Sequence, residues 1–327
     1  MIAYKLHFTA PLHLSARHDG FEKTHEYLHS DTLFSAIVSN WRHLYDDAPE
    51  TLIKNEGFTI SSAFPFVGER FYFPKPYSAL PVRYDISDHR LEKKLRSVMF
   101  VEQDLFEKMI GNKEIQDHKL LFSTDGKFLA TGAVPRAHCV EREMGRNMID
   151  RVTGGTDIFY FSEISFLPDA GLFFLAHFTD DNIRKKFEAT LRLLGDEGIG
   201  SDRSVGKGLF SVEVIDDFPL AQPANPNSFL TLSLYHPTEQ EIKRDLLKRS
   251  AYHVVSRGGW ITAPGFRSLR RQSLNMFLEG SVFSALEQGS YGDIPVVAGK
   301  IDGMLDFDVY RYGKAFALHC IMGEDNG

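Results

Sequence analysis

The sequence contains little cysteine and no long apolar run. Only two of its 327 residues are cysteine, Cys139 and Cys320, and neither has a CxxC partner. This spacing excludes a disulfide framework and a zinc ribbon as the basis of the fold. No stretch approaches the roughly 18 apolar residues of a spanning helix, and the N-terminal MIAYKLHFTAP lacks the features of a signal peptide. We expect a reduced, soluble, cytoplasmic protein that does not contact a membrane.

The chain also lacks the basic excess that is typical of nucleic-acid-binding proteins. Its formal net charge is −7, which counts against phosphate binding if the charge is taken as a whole. The exception is the segment 248–271, which contains six basic and no acidic residues, interleaved with Tyr252, Trp260 and Phe266. This basic segment predicts either local attraction of RNA or a solvated loop. Its basic residues are Lys248, Arg249, Arg257, Arg267, Arg270 and Arg271.

Hydrophobic periodicity predicts alternating strands and helices in the first 220 residues. Residues 2–8 alternate as a half-buried strand does, and helical spacing from Leu33 to Tyr45 predicts a helix capped by Ser30 or Asp31. A strand over 171–178, a helix over 180–194 ended by Gly195, and a strand over 210–214 follow. This order is the split βαβ pattern of a ferredoxin-like, RRM-like domain. A Pro-rich, aromatic insertion at about 64–160 interrupts it.

The Pro- and Asn-rich residues 221–228 predict a boundary between domain 1–220 and domain 221–327. In the second domain, Thr238 and Glu241 form a capping box for a helix with Ile242 and Leu246 facing inward. Strands near 252–256, 274–283 and 309–318 complete it. The predicted fold class is therefore α+β, with two ferredoxin-like (RRM-like) domains, the second degenerate, a glycine-rich loop and a large insertion.

The most tempting catalytic motif is HEYLH, residues 25–29, which matches the HExxH of zinc metalloproteases. That motif needs both histidines on one helix, whereas Ser30 and Asp31 here are typical of a helix start. We therefore favour a polar loop entering a helix over a zinc protease, and we expect no metal and no cofactor. No GxSxG elbow is present.

The glycine-rich loop GIGSDRSVGKG, from Gly198 to Gly208, carries more information. Arg203 stands where a dinucleotide fingerprint requires its third glycine, and Lys207 is followed by Gly208 instead of the Ser or Thr of a Walker A loop. What remains is a loop with conformational freedom, hydroxyl donors and two cations. Such a loop suits a sugar-phosphate backbone, and the alternative interpretation is a surface turn.

Five segments resemble the RAMP superfamily of CRISPR effector proteins, and within it the subunit that caps the 5′ end of the guide RNA in type III-A (Csm) complexes. They are SDTLFSAIVSNW (30–41), RNMIDRVTGGT (146–156), GIGSDRSVGKGLF (198–210), LNMFLEGSVF (274–283) and VYRYGKAF (309–316). The resemblance implies a non-catalytic subunit that holds the 5′ tag of the crRNA. It also implies contacts with the large signalling subunit, with the backbone RAMP subunit and with target RNA near the tag.

The resemblance also implies which residues contact RNA. The loop residues expected to hold tag phosphates are Gly198, Gly200, Ser201, Arg203, Ser204, Gly206, Lys207 and Gly208. The segment similar to the family's protruding hairpin supplies Arg146, Asn147, Arg151 and Thr153. We add the cations Arg257, Arg267, Arg270 and Arg271 from the basic segment. An alternative within the superfamily is a guide-processing endonuclease, for which His18, His25 or His29 is the candidate general base.

Overall fold

The computed structural model describes the chain except for residues 18–19, 25, 46–52, 54–56, 84–88, 136, 262–268, 285–289, 302–304, 306 and 324–327. It is a mixed α+β structure made mostly of strands. Its helices are α1 (Ser30–Leu44), α2 (His89–Ser97), α3 (Gln103–Ile110), α4 (Asp181–Glu197) and α5 (Glu239–Lys243). No helix among the described residues combines the length and the apolar character needed to cross a membrane.

The strands are numbered in chain order. They are β1 (Ile2–Phe8), β2 (Ser15–Arg17), β3 (Gly20–Thr24), β4 (Phe58–Ile60), β5 (Phe64–Val67), β6 (Arg70–Pro74), β7 (Val82–Arg83), β8 (Phe100–Glu102), β9 (Ile115–Gln116), β10 (Leu121–Phe122), β11 (Phe128–Ala130), β12 (Cys139–Ile149), β13 (Thr156–Phe166), β14 (Ala170–Phe178), β15 (Phe210–Ile215), β16 (Ser228–Thr231), β17 (Val254–Arg257), β18 (Leu274–Phe277), β19 (Val282–Ser284), β20 (Val296–Ala298), β21 (Val309–Tyr310) and β22 (Ala317–Cys320).

The main sheet has the order β10-β11-β8-β6-β5-β14-β1-β15, and β4 also pairs with β14. Strand β1 is antiparallel to both β14 and β15. Its predicted half-burial is wrong, because both faces are covered. Tyr4 and Leu6 pack into the core that includes α1 and α4, whereas Ala3 belongs to a second core shared with Leu230 and Leu318 of the C-terminal half.

Helices α1 and α4 pack against each other over the first core. The predicted caps of α1 are wrong, because His29 precedes the first turn without a side-chain cap and Asp31 binds arginines instead. Helix α4 is capped by Asp180 and ends at Glu197, not at Gly195. A Cβ on Gly195 would lie 2.4 Å from the Phe210 carbonyl oxygen. The glycine therefore allows the helix to approach β15 closely.

Residues of the insertion extend the main sheet through β5, β6, β8, β11 and β10. Helix α3 buries Leu105, Phe106 and Met109 in the second core. The insertion then ends in a long antiparallel hairpin, in which β12 pairs with β13 from Cys139–Phe166 to Ile149–Thr156. Much of this hairpin is exposed, and Val152 at its tip is 93% exposed.

The C-terminal half contains the three-stranded sheet β19-β16-β22. The predicted capping box of Thr238 and Glu241 is confirmed. Helix α5 has only five residues, and the predicted inward position of Ile242 is wrong because this side chain is half exposed, whereas Leu246 is buried. The single strand predicted over 274–283 is two strands, β18 and β19, separated by a turn at Gly280 with φ +87°.

Candidate nucleic-acid interface

The glycines of the loop from Gly198 to Gly208 fix the path of the loop backbone. Gly200 and Gly208 have φ values of +91° and +72°, in the range that side chains disfavour. A Cβ on Gly200 would lie 2.5 Å from the carbonyl oxygen of His13, and one on Gly208 would lie 1.9 Å from that of Ile199. The loop is therefore packed tightly against the polypeptide that leaves β1.

Most backbone N–H groups of the loop donate within the protein. Gly198 donates to Leu194, Ser201 to His13, Gly206 to Arg203 and Gly208 to Pro11, and Lys207 makes a longer bond to Asp202. These N–H groups are not free for a phosphate in this conformation. Among the described residues, no partner is found for the N–H groups of four other loop residues, Gly200, Asp202, Arg203 and Ser204.

The two cations of the loop lie in different environments. The Arg203 side chain is exposed, with its nearest carboxylate, that of Glu197, 4.0 Å away. Lys207 is buried and forms an ion pair with Glu163 of β13, and its ammonium lies 4.0 Å from the centre of the Phe161 ring. The ammonium of Lys207 is thus occupied by the hairpin. We call Lys207 and Glu163 the lysine pair.

The hairpin contacts the loop at a second point. Arg146 of β12 lies 3.0 Å from the carboxylate of Asp202 and 4.3 Å from the ring of Phe161. The structure therefore brings one predicted hairpin residue to the predicted loop. Asn147, Arg151 and Thr153 lie further along the hairpin and are exposed, and the Thr153 hydroxyl donates to Asp150 over 2.7 Å.

A cavity of about 320 Å³ opens beside the loop. The loop forms one wall, α1 forms another, and two arginines of the predicted basic segment, Arg257 and Arg271, close it from the C-terminal half. We call it the loop cavity. Its described lining residues are His13, Leu14, Tyr27, Leu28, His29, Thr32, Ser35, Ala36, Ser39, Gly198, Ile199, Gly200, Ser201, Arg203, Arg257 and Arg271.

A buried aspartate at the start of α1 holds two arginines of the C-terminal half. Arg257 donates to both carboxylate oxygens of Asp31 over 3.0 and 2.8 Å, and Arg311 donates to the same carboxylate. Burial by itself would raise the pKa of the Asp31 carboxyl, but Arg257 and Arg311 hold that pKa well below its usual range. Asp31 is therefore a carboxylate at any physiological pH.

For the third arginine, Arg271, no such carboxylate partner is found among the described residues. Burial lowers the pKa of its guanidinium, and the charges of Arg311 and Arg257 lower it further, against the opposite effect of Asp31. Its Nε atom is buried, and no hydrogen-bond partner for it is found among the described residues. We call Arg257, Arg271 and Arg311 around Asp31 the arginine group.

The arginine group carries more positive than negative charge. Another buried carboxylate, that of Glu279, also acts on Arg257, but it is bonded to His29 and Ser62. Within the part of the chain that the structure describes, three guanidinium groups thus face two carboxylates. A buried cation without a neutralising carboxylate lowers the stability of the folded protein unless an anion binds to it. The arginine group is therefore suited to bind a phosphate.

Arg270 of the basic segment does not line the loop cavity. Arg270 is exposed, and its guanidinium stacks 4.5 Å from the ring of Trp260. Arg267 lies outside the described residues. Sequence reasoning missed Asp31 and Arg311 as site residues. The signal for both was their position inside two of the motifs that carry the resemblance, SDTLFSA and VYRYG.

The HEYLH motif does not have the geometry of a zinc protease. Residues 26–29 are not helical, and the Nδ1 atom of His29 lies 2.8 Å from a Glu279 oxygen. Glu26 forms an ion pair with Lys127 and lies within 4.8 Å of ligand atoms of His138 and Cys139. Of the histidines nominated as a nuclease base, His18 and His25 lie outside the described residues.

Comparison with protein families agrees with the resemblance. The model of the RAMP superfamily matches residues 5–211, more than half of the chain, so the chain belongs to the RAMP superfamily. A second model, the CRISPR Csm4 C-terminal domain, matches residues 224–320. The first match ends at residue 211 and the second begins at residue 224.

Two curated proteins with the name CRISPR system Cms protein Csm4 are similar to most of the chain. The protein from Thermococcus onnurineus is 27% identical over 299 residues, covering 88% of this chain and 90% of that protein. The protein from Methanocaldococcus jannaschii is 22% identical, covering 93% of this chain and 94% of that protein.

Solved structures share the fold over nearly the whole length. A chain of the Csm3-Csm4 subcomplex of the type III-A CRISPR-Cas interference complex superposes with a TM-score of 0.64 at 18% identity, covering 98% of this chain and 99% of that chain. A chain of the Csm1-Csm4 cassette in complex with cA4 gives 0.62 at 21% identity, with 99% and 98% covered. At these identities the likeness concerns the fold.

Proposed function

We propose that the chain is a non-catalytic crRNA-binding subunit of a type III-A CRISPR-Cas interference complex. It holds the 5′ tag of the crRNA and docks the large subunit and the backbone subunits. Membership of the RAMP superfamily and similarity to proteins named Csm4 support this proposal. The solved relatives are described as assemblies of Csm4 with Csm3 and with Csm1.

The proposal includes a ferredoxin-like first domain. Six elements of this domain occur along the chain in the order β1, α1, β4, β14, α4 and β15. Their strands pair in the order β4-β14-β1-β15. This is the order that a split βαβ unit requires. The domain bounds 1–220 and 221–327 and the degenerate RRM-like character of the second domain are part of the same proposal.

The observation that carries the RNA-binding role is the arginine group beside the glycine-rich loop. Its surplus positive charge lies where a single strand resting on the loop would place a phosphate. Arg203, Ser201 and the N–H groups of Arg203 and Ser204 add donors on the loop side. Phosphate binding in the loop cavity would join the loop and both halves of the chain around one ligand.

The lysine pair leads to a different role for Lys207. The buried Lys207 ties the loop to the hairpin through Glu163, which positions the hairpin relative to the bound strand. Arg146, Asn147, Arg151 and Thr153 then lie along the hairpin on the path that target RNA would take beside the tag. Exposed apolar side chains accompany them, including Met148, Val152, Ile158 and Tyr160.

The test is to identify the RNA that co-purifies with the protein. A tagged full-length chain is expressed with the other subunits of its complex and with a CRISPR array, and the bound RNA is sequenced. We expect RNAs with one constant 5′ end. Recovery of no RNA, or of RNAs without a common end, would contradict the tag-binding role. Incubation of the purified chain with repeat RNA tests the non-catalytic part, and site-specific cleavage would contradict it.

A further inference from the structure

A second cavity, of about 440 Å³, lies at the junction of the insertion and the C-terminal half. We call it the tyrosine cavity. Tyrosines, prolines, serines and apolar residues line it, together with the charged side chains of Lys75, Arg96 and Glu279. Its described lining residues are Tyr27, Pro74, Lys75, Pro76, Tyr77, Ser78, Leu80, Arg96, Ser97, Val98, Met99, Phe100, Leu278 and Glu279.

Backbone contacts hold the walls of this cavity in place. The N–H of Lys75 donates to Met99, and the N–H of Tyr77 donates to Gly280 of the C-terminal half, each over 2.9 Å. A Cβ on Gly280, whose φ is +87°, would lie 2.6 Å from the carbonyl oxygen of Lys75. The turn that separates β18 from β19 therefore fits closely against the wall, and the cavity has a preformed shape.

The cavity offers an aromatic face and a cation. The ring of Tyr77 is 43% exposed and stacks on the ring of His253, with centroids 5.9 Å apart and planes inclined by 21°. The ammonium of Lys75 is partly buried and donates to the carbonyl oxygen of Leu95 over 2.7 Å. An ammonium has three donors, so Lys75 retains donors for an anion, and burial lowers the pKa of this amine.

The tyrosine cavity adjoins the loop cavity. Tyr27 lines both. His29 lines the loop cavity, Glu279 lines the tyrosine cavity, and their side chains are bonded over 2.8 Å. The two cavities therefore share part of one wall.

We propose that the tyrosine cavity binds one nucleotide of the same single-stranded RNA, with its base stacked on Tyr77 and a phosphate at Lys75. This inference rests on the proposed function. A volume of this size accepts a small planar ligand, and aromatic rings beside cations are how proteins hold bases without reading their sequence. The buried carboxylate of Glu279 also lines the cavity and repels a phosphate, which is why the phosphate is assigned to Lys75.

The test is a scan with 2-aminopurine, a base whose fluorescence falls when it stacks on a ring. The synthetic 5′ part of the RNA recovered with the chain carries 2-aminopurine at one position at a time, and each RNA is titrated with the full chain. We expect protein-dependent quenching confined to one or two adjacent positions. Tyr77→Ala removes this quenching and weakens binding roughly tenfold, which lies in the range of one lost base–aromatic stack. Tyr77→Phe retains both.

The matched control is Leu44→Ala, because Leu44 at the end of α1 is as exposed as Tyr77, at 43%, lies outside the basic segment and lines neither cavity. Its substitution should leave the quenching and the affinity unchanged. If RNA binds and Arg271→Gln weakens it, but Tyr77→Ala changes neither quenching nor affinity, the nucleotide site is contradicted while the proposed function stands. If the wild-type chain binds no RNA, both proposals fail. Binding of a protein partner that Tyr77→Ala abolishes without any effect on RNA would also overturn the nucleotide site.

Discussion

Two groups of buried cations flank the glycine-rich loop, and they differ in how completely carboxylates neutralise them. On the hairpin side, the single cation Lys207 is neutralised by the single carboxylate of Glu163. On the cavity side, Asp31 binds Arg257 and Arg311, whereas no carboxylate partner is found for Arg271 among the described residues. A basic residue within a motif is therefore not in itself a phosphate ligand. In the proposed function, the neutralised cation Lys207 holds the hairpin to the loop and the surplus cation Arg271 binds RNA.

The largest effect should come from removing the anion of the arginine group. Asp31→Asn leaves the guanidinium groups without their shared carboxylate, so we expect the free energy of unfolding to fall by about 3–5 kcal/mol. Urea unfolding at neutral pH measures it. The control is Asp181→Asn, an exposed aspartate in the first turn of α4, which should cost less than about 1 kcal/mol. Equal losses in the two variants would contradict the role given to Asp31.

A smaller loss should follow from breaking the lysine pair. Lys207→Met leaves the buried Glu163 carboxylate unpaired, and we expect a loss of about 2–4 kcal/mol in the free energy of unfolding. The double variant Lys207→Met with Glu163→Gln should recover most of it, because no buried charge remains. A thermodynamic cycle over both residues measures the coupling. Simple additivity of the two single changes would show that the pair is not coupled.

The smallest effect on stability should come from the surplus cation. Arg271→Gln removes a guanidinium whose charged form is disfavoured by burial and, in addition, by the neighbouring arginines, so we expect the free energy of unfolding to change by less than about 1 kcal/mol in either direction. The same urea experiment measures it. A loss as large as that of Lys207→Met would mean that Arg271 is neutralised like Lys207, and the contrast between the two groups would disappear.

Local patterns in the sequence predicted much of the first domain. Periodicity located α1, α4, β14 and β15, and the spacing of glycines located the loop, because these features depend on neighbouring residues. Periodicity did not predict the burial of both faces of β1, since the covering residues Leu230 and Leu318 come from the distant C-terminal half.

The site itself was predicted only in part, for the same reason. The list of cations in the loop and the basic segment contains Arg203, Arg257 and Arg271, which line one cavity. It also contains Lys207, whose partner lies 44 residues away. Asp31 is separated from Arg257 by 226 residues. Which cation is neutralised depends on such long-range contacts, and no local pattern records them.

The most direct measurement is the salt dependence of RNA binding for two variants that each lose one buried cation. In the second variant the carboxylate that pairs with this cation is neutralised as well. Arg271→Gln should weaken binding of the recovered RNA and make the slope of log affinity against log salt shallower by roughly one. Lys207→Met with Glu163→Gln should leave that slope unchanged, because the pair is matched within the protein. An unchanged affinity and slope for Arg271→Gln, or a shallower slope for the double variant alone, would contradict the assignment of the arginine group to RNA.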